Sequence, residues 1–190
     1  MIGAAVMLGL AAAPAEAHSG TGLAGGFAAG FAHPFGGVDH LLAMASVGLW
    51  GAFLGRPLVY LLPVVFPLMM VVGAMLGMTG VPLPSVETGI ALSVLVLGGC
   101  IALAFRAPVW LAIMIVALFA IFHGYAHGRE LPSAADPAGY SLGFVLATGL
   151  IHIAGIALGL LKAGPSGEVT IRVAGGAIGL AGLAFLVGLA

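Results

Sequence analysis

Charged residues are scarce in this chain. Only 6% of its 190 residues are Asp, Glu, Lys or Arg, whereas 62% are hydrophobic, and the mean hydropathy is +1.27. A soluble globular domain carries roughly 25% charged residues, so this chain has too few to cover itself against water. A soluble domain is therefore excluded, and the composition indicates an integral membrane protein.

Cysteine and positive charge are also scarce. The single cysteine, Cys100, lies inside an apolar run, which excludes an internal disulfide and a metal site built from thiolates. With five basic residues and a net charge of −1, the chain lacks the basic composition of a nucleic-acid-binding protein. The sequence also lacks the Gly-x4-Gly-Lys-Ser/Thr pattern of an ATP-binding loop, so an ATPase would have to be another chain.

The N-terminal segment is typical of a cleavable signal peptide. An apolar stretch, Ile2–Ala13, leads to a small-x-small pattern that ends at Ala17, the usual form of a cleavage site. We expect cleavage after Ala17 and a single transmembrane domain over residues 18–190, with an uncleaved short anchor as the alternative. The basic residues that usually precede such a stretch are missing, which suggests a true start upstream of Met1.

Short polar or proline-bearing breaks divide the rest of the chain into spans of ~20 residues, the length that crosses a bilayer. The six predicted spans are Val38–Leu54, Leu58–Met78, Val86–Phe105, Val109–His127, Tyr140–Leu161 and Ile171–Leu189. Before them, Leu23–Ala32 is too short to span and is interrupted by Pro34. The predicted fold class is therefore an all-α integral membrane protein, a bundle of about six transmembrane helices with a broken Gly/Pro segment near the N-terminus.

The distribution of basic residues predicts the orientation of these spans across the membrane. If the N-terminus lies outside, the inner loops hold Arg56, Arg106, Lys162 and Arg172. The outer loops then hold only Arg129. Because basic residues are enriched on the cytoplasmic side, we expect both termini to be periplasmic. The start of span 1 and the end of span 4 then lie at the same outer level.

Two polar clusters lie at those two positions. The first cluster is His33, Asp39 and His40, and the second cluster is His123, His127 and Glu130. Ionisable groups in lipid cost on the order of 3 kcal/mol each on insertion scales and are rarely without a function. Two clusters rich in imidazole and carboxylate indicate a metal ion handled within the membrane.

The spacing of the second cluster favours metal binding. His123 and His127 are four residues apart and project from one helix face, and Glu130 joins that face if the helix continues through Gly128. Nitrogen and oxygen donors suit divalent zinc, nickel and cobalt.

The first cluster lies in a broken segment. Pro34 and the pair Gly36-Gly37 interrupt the helix there, which is tolerated at membrane depth where the chain lines a cavity or is buried in protein. Asp39 has an alternative role, since a carboxylate at the start of span 1 also complements the helix dipole.

Three further residues are weaker candidates for metal ligands. His152 lies about halfway along span 5 and fits a deeper step, although it also suits a hydrogen bond to a neighbouring helix. His18 would become the mature N-terminus, where its amine and imidazole can chelate a cation, or it is an accident of the cleavage position. Met44 shares a face with His40 and offers a thioether, with packing as the alternative.

Glycine is abundant, at 32 residues, and recurs at four-residue spacing, as in Gly51/Gly55, Gly73/Gly77 and Gly155/Gly159. Small residues at this spacing let helices approach closely in lipid, so we expect tight packing. Spans 1–3 and 4–6 would have opposite orientations, which permits an inverted repeat, although the halves share no convincing sequence similarity.

The two clusters together resemble the motifs of the HupE/UreJ family of nickel and cobalt permeases. The resemblance rests on His33-Pro34-x-x-Gly37-x-Asp39-His40 and Phe122-His123-Gly124-x-x-His127-Gly128-x-Glu130, and on the length, the signal sequence and the six-span layout. It implies secondary uptake of nickel or cobalt across the bacterial inner membrane for hydrogenase or urease maturation.

The resemblance also assigns roles. It implies that the six residues of the two clusters contact the ion, which is cargo rather than a prosthetic cofactor, and that the chain is not an enzyme. The implied partners are a divalent transition-metal ion and the lipid bilayer; no protein partner is indicated. Because imidazoles bind metal only when neutral, we expect uptake to weaken as the pH falls through about 6.

Two other functions fit some of these residues. Histidines and a carboxylate spread over several spans also suit an intramembrane metal-dependent hydrolase, in which a zinc ion and a carboxylate activate water. A haem-binding membrane anchor would use histidines of facing helices as axial ligands, but the adjacent carboxylates Asp39 and Glu130 argue against it.

Overall fold

The computed structural model describes residues 23–130, 136–160 and 165–189, and these ranges are almost entirely helical. In chain order the elements are α1 (Leu23–Ala32), a 3-10 turn (His33–Phe35), α2 (Val38–Leu54), α3 (Leu58–Met78), α4 (Val86–Ala102), α5 (Val109–Glu130), α6 (Pro137–Leu160) and α7 (Pro165–Leu186). This confirms the predicted fold class. The predicted signal peptide and His18 lie outside the described residues.

The helices α2 to α7 correspond to the six predicted spans. Four of them (α3, α5, α6 and α7) are long and apolar enough to cross a membrane, and α1 with α2 forms a fifth candidate that is bent by 81°. The remaining helix, α4, is apolar but has only 17 residues.

Several predicted boundaries differ from the helices, among them the ends of α5 and α7, which lie at Glu130 and Leu186 rather than at His127 and Leu189. The helices α6 and α7 begin at Pro137 and Pro165 rather than at Tyr140 and Ile171, because proline is favoured in a first helical turn and polar residues there are still helical. Span 3 was expected to reach Phe105, but α4 ends at Ala102. The chain turns there through Ala104, which has a left-handed conformation with φ of +52°.

The bend between α1 and α2 has a local cause. Pro34 has no backbone N–H, and the 3-10 turn that contains it closes with a hydrogen bond from the Gly36 N–H to the His33 carbonyl at 2.9 Å. Gly37 then takes an extended conformation (φ −113°, ψ 118°) before α2 begins. The broken Gly/Pro segment is thereby confirmed, and it places His33 at the corner of the bend.

Glycines mediate the close packing of three helix pairs. A methyl group at Gly48 of α2 would overlap the backbone carbonyl of His152 in α6, and one at Gly73 of α3 would overlap that of Ile121 in α5. In the same way, Gly182 of α7 lies against the backbone of Leu95 in α4. Gly55 is different, because it ends α2 with φ of +81° and a Cβ there would meet nothing within 4 Å.

The pairing of helices relates the two halves of the chain. The pairs α2–α6 and α3–α5 are parallel, whereas α4–α7 is antiparallel. Suppose that the first half of the bundle (α2, α3, α4) is superposed on the second half (α5, α6, α7), helix by helix. The α2–α6 pair then falls on the α3–α5 pair, and the α4–α7 pair falls on itself. This pattern fits the inverted repeat that the span orientation permits.

Candidate metal-binding site

The two polar clusters meet at one end of the bundle, where the corner of the N-terminal bend and the start of α2 face the end of α5. The His33 Nε2 lies 3.0 Å from the His127 Nδ1. The His40 ring is also adjacent to both imidazoles of the second cluster, with centroid distances of 4.8 Å to His123 and 4.7 Å to His127. Four imidazoles from two distant segments thus form one contiguous group.

Asp39 orients the ring of its neighbour. Its Oδ1 accepts a hydrogen bond from the His40 backbone N–H at 2.8 Å and lies 2.9 Å from the His40 Nδ1. A carboxylate can only accept, so in the neutral ring Nδ1 carries the proton and Nε2 has the lone pair. Carboxylates orient metal-binding histidines in this way. Asp39 also lies in the first turn of α2, the position that its alternative role at the helix dipole requires.

Gly37 provides room for this pair. A Cβ at Gly37 would lie 2.9 Å from the Asp39 Oδ1 and 3.2 Å from the His40 Nδ1. Both contacts are shorter than ordinary van der Waals distances, so a side chain at this position would displace the carboxylate or the ring. The glycine of the motif is therefore required by packing as well as by the bend.

His123 is fully buried, and its tautomer follows from Ser93 of α4. The Ser93 hydroxyl donates to the Ile90 carbonyl at 2.6 Å, so it accepts the second hydrogen bond, 2.9 Å long, from the His123 Nε2. The His123 Nδ1 is then unprotonated. It is buried and has no hydrogen-bond partner among the described residues, which makes it available as a metal ligand.

His127 is surrounded by aromatic side chains. Its ring centroid lies 4.6 Å from that of Phe144 in α6, and the neighbouring His33 ring also contacts Tyr140, at 5.8 Å. The His127 Nε2 is buried and has no hydrogen-bond partner within the described ranges. The two aromatic residues of α6 therefore pack against the His33–His127 pair.

The described donor atoms of the two clusters do not converge on a single point. No group of three His, Cys, Asp or Glu side chains within the described residues is arranged to hold a metal as it stands. The helix α5 does continue through Gly128 to Glu130, as the predicted site requires, but the side chain of Glu130 lies outside the described residues. The imidazoles are thus assembled without being preorganised around one point.

Two of the weaker candidates, Met44 and His152, lie within the described residues. Met44 is fully buried in the hydrophobic core, in agreement with its packing alternative. His152 is separated from the clusters by Phe66, whose ring contacts His123 at 5.6 Å on one side and His152 at 5.4 Å on the other.

Sequence reasoning did not identify Ser93, Phe66, Tyr140 or Phe144. A single hydroxyl or aromatic residue in an apolar span carries no pattern that separates a site residue from a core residue.

A crevice between α3, α5 and α6 adjoins the site. It is partly open to the surroundings, and most of its lining is apolar. His127 lines it near the clusters, and Thr148 lines it farther along α6. The crevice therefore connects the depth of the clusters with that of the middle of α6.

Comparison with known proteins identifies the family. Residues 5–185 match the family model described as HupE / UreJ protein. The chain is also similar to "Protein HupE" of Rhizobium leguminosarum bv. viciae, with 47% identity over 178 residues that cover 93% of both chains. No solved structure matches. The match spans nearly the whole chain and includes both clusters, so this multi-pass membrane protein belongs to the HupE/UreJ family.

Proposed function

We propose that this protein takes up divalent nickel or cobalt across the bacterial inner membrane, from the periplasm to the cytoplasm. The family is associated with uptake of these metals. The observation that carries the proposal is the contact of His40, at the start of α2, with both His123 and His127, at the end of α5. Segments more than 80 residues apart in the sequence thereby bring three imidazoles into contact inside an apolar bundle, an arrangement that a shared metal ion would explain.

The unprotonated imidazole nitrogens of the site suit nickel or cobalt as the transported ion. The hydrogen bonds described above leave the His40 Nε2 and the His123 Nδ1 unprotonated, and a ligating imidazole must be neutral. His33, Asp39 and Glu130 complete the proposed set with nitrogen and oxygen donors. Such mixed donors bind nickel, cobalt and zinc, and the absence of thiolates disfavours softer ions.

Capture of the ion requires the rings to turn. The imidazole centroids are under 5 Å apart, but their nitrogens do not converge as they stand. In our proposal, the entering ion exchanges its water for these nitrogens while the rings rotate about χ2, a broad and soft torsion for histidine. A site formed only on binding holds its ion less tightly, which suits a cargo that must be released.

The direction of transport follows from the basic residues. With Arg56, Arg106 and Arg172 on the cytoplasmic side, the end of the bundle that carries both clusters faces the periplasm. The protein would therefore receive its ion from outside, and both termini would be periplasmic.

Metal flux into proteoliposomes tests this function. Purified protein should transport radioactive nickel, with cobalt and zinc as competitors that rank the ions, and empty liposomes give the background. Family membership favours transport over an intramembrane hydrolase, and the same preparation distinguishes the two: amidase or esterase activity in detergent without any ion flux would support the enzyme and overturn our proposal.

A further inference from the structure

A second group of polar side chains lies in the middle of the bundle, away from the clusters. His152 and Thr148 of α6 are each 1% exposed, and Ser46 of α2 is fully buried. Within the described ranges, neither nitrogen of His152 and neither of the two hydroxyl oxygens has a hydrogen-bond partner. Buried polar groups are nearly always paired, so a group left unpaired requires an explanation such as a ligand.

Two of these residues share one helix face. Thr148 and His152 are four residues apart in α6, so both project toward the same side. The helix α2 is in backbone contact with this part of α6, because a methyl group at Gly48 would overlap the His152 carbonyl. Ser46 lies two turns beyond Asp39 on the same face of α2, and so it continues inward from the first cluster.

The backbone of α3 adds an oxygen donor. Pro63 lies next to the His152 imidazole, although no hydrogen bond of good geometry forms between them. Four residues further on, position 67 is also proline, which has no N–H to donate to the Pro63 carbonyl. This carbonyl therefore keeps its lone pairs within a membrane-spanning helix, a situation that is tolerated where other groups or a cavity satisfy the backbone.

Phe66 lies between this group and the clusters. Its ring is fully buried and contacts the imidazole of His123 on one side and that of His152 on the other. An ion that leaves His123 and moves inward meets this ring first and the His152 imidazole next.

We infer that His152 is the principal ligand of a second, internal site that receives the divalent cation after it has passed Phe66. The Thr148 hydroxyl and the Pro63 carbonyl supply oxygen donors beside it. Ser46 is a polar group on α2 inward from the first cluster. Imidazole nitrogen with neutral oxygens suits divalent nickel or cobalt. A site with fewer anionic ligands than the outer clusters releases its ion more readily, as an intermediate site in a transport path must. This inference rests on the proposed function.

Substitution of His152 tests the internal site by flux and by binding. With the purified full chain, His152→Ala should lower nickel flux into proteoliposomes at least about tenfold. Equilibrium binding of radioactive nickel in detergent should lose one ion per chain, while binding at the outer clusters persists. Ile153→Ala is the matched control, since its side chain is 61% exposed on the other side of the same turn, and it should behave like the unsubstituted protein.

The Thr148 variants separate a ligand from a packing residue. Thr148→Val keeps the shape and removes the hydroxyl, so flux should fall severalfold. Thr148→Ser keeps the hydroxyl and should retain flux. Equal losses in both variants would overturn a ligand role for the hydroxyl even if His152→Ala fails to fold.

The outcomes for the two proposals are distinct. If the unsubstituted protein moves nickel and His152→Ala moves it equally well, with unchanged binding, the internal site is wrong and the proposed function stands. If the unsubstituted protein neither binds nor moves nickel, the proposed function is wrong and the internal site with it.

Discussion

The Nε2 of His33 and the Nδ1 of His127 lie 3.0 Å apart, although 94 residues separate them in the sequence. The contact joins the corner of the N-terminal bend to the last turns of α5. Either nitrogen can donate in this pair, because neutral imidazole carries its proton on one nitrogen or the other. An entering cation would compete with the donated proton for the lone pair of the accepting nitrogen, so binding there would break this hydrogen bond and rearrange the site.

Removal of a cluster residue should abolish uptake. His123→Ala takes away a buried nitrogen, and Asp39→Ala takes away the carboxylate that orients His40. We expect both variants to accumulate radioactive nickel in cells at background level. Membrane protein levels, measured by immunoblot, should be normal. Thr170→Ala, an exposed hydroxyl in α7, serves as the control. Normal accumulation in both cluster variants would contradict the proposed site.

Ser93 should affect uptake without contacting the ion. Its hydroxyl accepts the hydrogen bond from the His123 Nε2 and so keeps the Nδ1 free of a proton. Loss of such a partner typically costs about 10- to 100-fold in metal affinity. Ser93→Ala should therefore raise the nickel concentration for half-maximal flux, and Ser93→Thr should largely preserve it. An unchanged concentration dependence in Ser93→Ala would show that the tautomer is set in another way.

Gly37→Ala should weaken metal binding through steric displacement. The added Cβ would lie 2.9 Å from the Asp39 Oδ1, and the backbone conformation at this position is one that alanine adopts easily. The Asp39–His40 pair should shift, and nickel binding measured by equilibrium dialysis should fall. Gly99→Ala is the matched control, because its Cβ would meet nothing within 4 Å. Equal affinities in the two variants would be inconsistent with the role of Gly37.

Gly48→Ala should destabilise the bundle. The methyl group would overlap the His152 carbonyl, and overpacking of this kind costs about 1–3 kcal/mol. A thermal unfolding experiment in detergent should show a Tm several degrees lower. Gly149→Ala, at a similar depth in α6 but with open space around it, should leave the Tm unchanged or slightly higher. A similar Tm for both variants would argue against close contact of α2 with α6.

The orientation can be tested by cysteine labelling. In a Cys100→Ala background, Thr79→Cys introduces a thiol at the exposed end of α3, and Ser166→Cys introduces one near the start of α7. The basic residues predict that Thr79 is periplasmic and Ser166 cytoplasmic. A membrane-impermeant maleimide should label only the Thr79→Cys protein in intact spheroplasts and both proteins after permeabilisation. The reverse pattern would invert the predicted direction of transport.

The transmembrane bundle and the polar clusters were predicted from different features of the sequence. The spans follow from runs of apolar residues of bilayer length, and only their ends moved, where Pro137 and Pro165 extend helices into polar residues. The candidate ligands stand out because ionisable residues are rare and costly in lipid. The residues that support them do not stand out, because Ser93 and Phe144 look like any other residue of an apolar helix.

The sequence by itself determined that this is a helical membrane protein, which of its residues are candidate metal ligands, and the family to which it belongs. These properties depend on composition and local spacing, which the chain carries in linear order. Only the tertiary structure decided that His40 contacts His123 and His127, that Ser93 fixes a tautomer, and that Phe66 separates His123 from His152. The physical reason is that these relations depend on which helices pack together, and that packing is set by close backbone approach at glycines such as Gly48 and Gly73.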